Sequence, residues 1–101
     1  APADVAGRWA LFWTTPAGPA ESGYLVLRQD GGRVEAELHG RGSLRAEGRV
    51  RGELLVISGR RLLAAFELRA TVRGDSLVDG TLRVQSTERA FTAVRRRPPE
   101  P

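Results

Sequence analysis

The sequence predicts an all-β protein: an eight-stranded antiparallel up-and-down (meander) barrel. Three observations predict it. Apolar residues alternate with polar ones along short runs, the period of a strand with one buried face. Turn residues, chiefly Gly with Asp, Arg or Pro, punctuate those runs at nearly even spacing. Every link is short enough for a hairpin, so consecutive strands pair as neighbours and the last can close on the first, leaving no free edge.

The first strand is Gly7-Arg8-Trp9-Ala10-Leu11-Phe12-Trp13-Thr14-Thr15. Trp9, Leu11 and Trp13 share one face and Arg8, Ala10, Phe12 and Thr14 the other. A helix would also gather Trp9, Phe12 and Trp13. The boundary chemistry decides for a strand: Gly7 precedes the run and Pro16-Ala17-Gly18-Pro19 ends it. Both of the chain's tryptophans are spent here, so their shared face points into the core, and Phe12 points out.

A Pro/Gly loop at 16–20 leads to a second strand at 22–29, where Tyr24 faces out beside Phe12. Asp30-Gly31-Gly32 turns the chain. In the third strand, 33–39, Val34, Ala36 and Leu38 face in while Arg33, Glu35, Glu37 and His39 face out. After Gly40-Arg41-Gly42, the fourth strand (43–51) points Leu44, Ala46, Gly48 and Val50 inward, and Glu37 can pair with Arg45 across the hairpin. Residues 54–58 form a short fifth strand, with Gly59-Arg60-Arg61 as its turn. The sixth runs 62–73 with Leu62, Ala64, Phe66, Leu68, Ala70 and Val72 in register. The seventh is 77–84, a turn follows at 86–88, and the eighth is 90–95 with Phe91, Ala93 and Arg95 on one face. Residues 1–6 form an N-terminal arm, 7–95 a single barrel domain, and 96–101 a loose Arg/Pro tail.

Composition narrows the function classes. The 101 residues suffice for one core, and no apolar run approaches a membrane-spanning helix. The net charge is +4, every basic residue is Arg, and Arg95, Arg96 and Arg97 hold much of the excess. The outward rows are mixed in sign, so a basic face for nucleic acid is not indicated. The all-Arg, Gly- and Ala-rich composition fits a GC-rich bacterial genome. With no Cys there is neither disulfide nor thiol chemistry. Ala1-Pro2-Ala3 suits the region just after signal-peptide cleavage, which gives the expectation of a secreted or periplasmic protein.

Catalytic and metal motifs are missing. The lone His39 lies on a polar strand face with Glu35 and Glu37 in a row that does not converge on a metal. No Gly-x-Ser-x-Gly elbow is present, and no glycine turn opens a helix as a phosphate loop would. Asp75 and Asp79 flank a turn and make a poor hydrolytic pair.

Gly7-Arg8-Trp9 at the start of the first strand resembles the Gly-x-Trp signature of the calycins, the superfamily of lipocalins, fatty-acid-binding proteins and avidins. Arg95 on the last strand resembles that superfamily's arginine, which packs across the tryptophan at the closed end of the barrel. The chain is shorter than a lipocalin and lacks its Thr-Asp-x-x-Tyr-type motif and C-terminal helix. It also lacks the polar biotin-binding set of avidins. The resemblance therefore implies a fold and no particular ligand.

With Trp9 and Arg95 as the closed-end pair, antiparallel geometry places Trp13, Leu25, Leu38, Leu44, Ile57, Leu62, Ala64, Leu82 and Phe91 toward the open end. Ala36, Ala46, Gly48, Ala64, Ala70, Gly80 and Ala93 either leave a cavity or let opposite walls touch. The first expectation is a barrel that binds a small hydrophobic or amphipathic molecule in its interior, without a cofactor. The second is a filled barrel serving as a structural or protein-interaction domain. The third is a cofactor-free cyclase or isomerase, with Gln29, Ser58 or Arg95 as its inward polar group. Phe12 and Tyr24 form an outer patch suited to a homodimer contact or to cover by the arm.

Overall fold

The computed structural model describes residues 1–61 and 64–96. The expected inward Leu62 and residues 97–101 of the tail lie outside them. The chain forms β1 (Gly7–Thr15), β2 (Gly18–Asp30), β3 (Arg33–His39), β4 (Ser43–Arg51), β5 (Leu54–Arg61), β6 (Ala64–Arg73), β7 (Ser76–Val84) and β8 (Thr87–Arg96). They form a closed barrel in sequence order, with β1 hydrogen-bonded to both β2 and β8. The all-β, up-and-down architecture follows directly from the hairpin-length links.

Several strands are longer than the turn residues predict. β2 starts at Gly18, because Pro16 and Ala17 alone make the turn. Thr15 Oγ1 holds that turn, accepting from Ala17 N and donating to Gly18 O. Pro19 is tolerated inside β2 because the pairing of β2 with β3 begins only at Tyr24, so its missing N–H faces no ladder partner. Gly59-Arg60-Arg61 is not a turn; these residues continue β5 and pair with Ala64, Ala65 and Phe66. β8 begins at Thr87, three residues before the apolar run at Ala90.

The core is a continuous cluster that includes Trp9, Leu11, Leu25, Leu27, Leu55, Ile57, Leu68, Leu77 and Phe91. Each such side chain contributes roughly 1.5–3 kcal/mol on burial. The small inward residues do not hollow out this middle; two glycines make room for rings. Gly80 is the cross-strand partner of Phe91, and a Cβ on Gly80 would stand 2.8 Å from that ring. Gly59 is the partner of Phe66, and a Cβ there would stand 2.8 Å from its ring. Each phenyl lies over the glycine opposite it on the neighbouring strand, and the ring fills the space that a side chain there would take.

The N-terminal arm is part of the core. Val5 has no exposed surface and packs in the same cluster as Trp9. The arm therefore runs to the barrel's lower end, and not over Phe12 and Tyr24 as one of the expectations had it. Tyr24 instead sits between Arg8, whose guanidinium lies 3.9 Å from the ring centroid, and His39, stacked at 4.5 Å. That stack leaves both Tyr24 and His39 half-buried. The large exposed apolar side chains are Leu54, Val84 and Val94.

Candidate functional site

The lower end is sealed. Arg95 is the penultimate residue of β8, and its side chain is only 8% exposed. Its guanidinium lies 4.5 Å from the Trp9 ring centroid, the stacking implied by the calycin-like pair. Its Nη1 donates to Ala6 O at 2.8 Å, Nη2 to Gly74 O at 3.0 Å and Asp4 O at 3.1 Å, and Nε to Asp75 Oδ1 at 2.8 Å. The planar fork thus ties the arm to the β6–β7 turn. Gly7 has φ +132°, and a Cβ there would stand 3.1 Å from Arg95 Cδ. Glycine at this position serves both the backbone conformation and the arginine.

Two more polar groups hold the arm. Trp9 Nε1 donates to Val5 O at 2.9 Å. Gln29 accepts from Val5 N at 2.7 Å and donates to Ala3 O at 2.8 Å. Ala3 N in turn donates to Gly52 O. Gln29 and Arg95 are therefore committed to backbone groups. Ser58 is exposed and lines a groove on the outer wall. The inward polar groups that a cyclase or isomerase would use are engaged elsewhere or face outward. Among the described residues, no three His, Asp or Glu side chains gather as metal ligands, and no helix is long and apolar enough to cross a membrane.

The upper end differs. Of the residues expected at an open end, Leu25, Ile57 and Phe91 are buried in the packed middle. Leu25 stands opposite Trp9, on the closed-end side, because the β1–β2 ladder counts down from Thr15 opposite Gly18 through one irregularity between Ala10 and Phe12. Trp13, Leu38, Leu44, Ala64 and Leu82 keep partial exposure. Trp13, Leu38 and Leu82 pack on the core from above, together with Ala46. Leu38 pairs with Leu44. Trp13 pairs with Phe91, the ring centroids lying 5.6 Å apart, and its Nε1 donates to Ser22 O at 2.8 Å. The result is a shallow apolar rim over a filled barrel.

One rim residue was not singled out from the sequence. Arg89 lies on β8 opposite Leu82, and its guanidinium sits 4.8 Å from the Trp13 centroid. A turn at 86–88 and a last strand at 90–95 assign it to neither. Stepping the alternation back from Phe91 would have found it. Among the described residues no carboxylate pairs with Arg89. The rim thus joins a half-exposed indole, aliphatic side chains and a guanidinium with no carboxylate partner among the described residues. Compared with protein-family models, curated proteins and solved structures, the chain matches none.

Proposed function

We propose that the protein is a binding module whose open end takes the apolar part of a small amphipathic molecule, with an anionic head toward Arg89. The observation that carries this reading is the contrast along the barrel axis. The inward residues from Trp9 to Phe91 are packed away from water, whereas Trp13, Leu38, Leu44, Ala64 and Leu82 keep accessible surface, and beside Trp13 and Leu82 stands the Arg89 guanidinium, which no carboxylate pairs among the described residues. Half-exposed aliphatic and aromatic groups with one polar anchor are the elements of a small-molecule site. The filled middle limits the ligand to a shallow seat and rules out deep insertion.

The test is tryptophan fluorescence during titration with decanoate, and with decanol as the uncharged control. Decanoate gives a saturable change that Trp13→Phe removes, and Arg89→Gln brings decanoate down to the weaker response of decanol. A flat titration with both probes would reject the rim as a ligand site. The second reading, a filled barrel that serves as a protein-interaction domain, is favoured by the packed middle and would then stand first.

A further inference from the structure

The outer wall of β2–β5 carries a groove of about 970 Å³ that the rim does not include. Arg28, Arg33, Glu35, Glu47, Arg49 and Arg51 supply its charges together with Asp30. On the β3–β4 ladder like charges stand opposite each other. Arg33 stands directly opposite Arg49, and one step along the same strands Glu35 stands directly opposite Glu47. Like charges opposed across a ladder repel. Exchanging Arg49 and Glu47 would turn both β3–β4 rows into attractive pairs, yet this ladder keeps its two cations together and its two anions together, while the β2–β3 ladder sets Asp30 opposite Arg33 and Arg28 opposite Glu35. Among the described residues, no ion pair satisfies Arg33, Arg49, Arg51, Glu35 or Glu47.

The rows are two residues apart along each strand, a separation of roughly 7 Å. Val56, opposite Arg49, and the exposed Leu54 give the groove an apolar margin on β5. We propose that the groove binds a zwitterionic small molecule, with a phosphate group on Arg33 and Arg49 and an ammonium group on Glu35 and Glu47. Arginine's planar fork suits phosphate oxygens. The glutamate row repels a polyanion, and the arginine row repels a simple cation, so neither nucleic acid nor a polyamine fits the pattern. A phosphate joined to an ammonium by a short linker occurs as a free metabolite and as the exposed headgroup of a membrane lipid. The site recognises what the two share.

The experiment is a titration of the full chain with phosphocholine, followed by the arginine Nε resonances in two-dimensional NMR. The Arg33 and Arg49 signals shift and saturate, and inorganic phosphate binds at least about tenfold more weakly, a difference of about 1.4 kcal/mol. Arg33→Gln with Arg49→Gln abolishes the phosphocholine response. Glu35→Gln with Glu47→Gln erases the preference over inorganic phosphate. All four positions are exposed, and Arg49→Glu, which places an acid opposite Arg33, raises the melting temperature by about 1–5 °C while losing the ligand. Co-sedimentation with phosphatidylcholine vesicles, but not with phosphatidylglycerol vesicles, would assign the lipid source; binding of soluble phosphocholine alone would assign the free one. Absence of saturation at tens of millimolar phosphocholine, or binding that survives Arg33→Gln/Arg49→Gln, overturns the proposal. Because Trp13 and Arg89 lie outside this groove, Trp13→Phe leaves these shifts unchanged, and failure here says nothing against the rim.

Discussion

The two ends of the barrel are built from the same strands with the same inward alternation, yet they are finished differently. At the lower end a tryptophan, an arginine and a glutamine all direct their donors or acceptors at the N-terminal arm. Trp9 holds Val5 O, Gln29 holds Val5 N and Ala3 O, and Arg95 holds Asp4 O and Ala6 O. At the upper end Trp13 directs its indole N–H at Ser22 O, within its own hairpin. Alternation alone decides which side chains point inward. Closure further needs a segment to lay across the end and polar side chains to satisfy its backbone, since unpaired buried amides and carbonyls are costly.

The sharpest way to break this comparison is to truncate the two tryptophans. Trp9→Ala removes a side chain with no exposed surface and destabilises by about 3–5 kcal/mol. Trp13→Ala removes a half-exposed ring and costs about 1–2 kcal/mol. Urea melts of the two variants check this directly. Equal losses would mean that the upper end is as tightly packed as the lower. Arg95→Ala comes next, at about 2–4 kcal/mol, because it strands the carbonyls of Asp4, Ala6 and Gly74 at once. Arg95→Lys recovers little of this, since one ammonium cannot match the fork.

Val5→Ala tests whether the arm belongs to the cooperative unit. Its expected cost is about 1–3 kcal/mol. The amide of Val5 is the sensitive readout, because it donates to Gln29 Oε1. It should exchange hydrogen at the same rate as core strand amides in the wild type. An amide that exchanges like a frayed terminus would show that the arm opens independently of the barrel.

The fold was legible because its signals are local. The Gly and Asp turns set strand number, and the alternation of Val34, Ala36 and Leu38 or of Phe66, Leu68 and Ala70 sets which face is buried. The closed-end pair was legible too, since Gly7, Trp9 and Arg95 each have a residue-specific reason to be there. What stayed hidden depends on distance in sequence. Nothing local to Val5 says that it fills the barrel floor; Gln29 and Arg95 must be in place first. Gly59 and Gly80 read as a turn and as spare room until the ladder pairs them with Phe66 and Phe91. The rim residue Arg89 and the opposed charge rows in the outer groove likewise emerge only once strand register is known.

The glycine–phenyl pairs give a smaller test. Gly59→Ala forces a methyl group against the Phe66 ring and costs about 1–3 kcal/mol. Combined with Phe66→Leu, the same alanine costs less, with only the 3.2 Å approach to Ala46 Cβ left to relax, so the double-mutant cycle shows coupling. Gly80→Ala is not rescued in this way, because its Cβ would also stand 2.6 Å from the Phe91 carbonyl oxygen, which no side-chain substitution moves.

Two ion pairs of similar length make the smallest and cleanest contrast. Arg95 Nε lies 2.8 Å from Asp75 Oδ1, and Arg69 Nε lies 2.6 Å from Glu67 Oε1. Distance alone would rank them as equals. The carboxylates are similarly exposed, Asp75 51% and Glu67 44%, but the guanidinium surroundings differ: the Arg95 side chain is 8% exposed, whereas that of Arg69 is 58% exposed on the wall of β6. Water and salt screen the second pair, and holding two long side chains in one geometry costs entropy that the weakened attraction barely offsets. Glu67→Gln should therefore change stability by no more than about 0.5 kcal/mol, and 1 M salt should erase that change. Asp75→Asn removes a charge from beside a guanidinium that is stacked on Trp9 and cannot turn to water, so its larger cost, about 1–2 kcal/mol, should persist in salt. A salt titration that moved both variants alike would mean that the lower end is open to solvent after all.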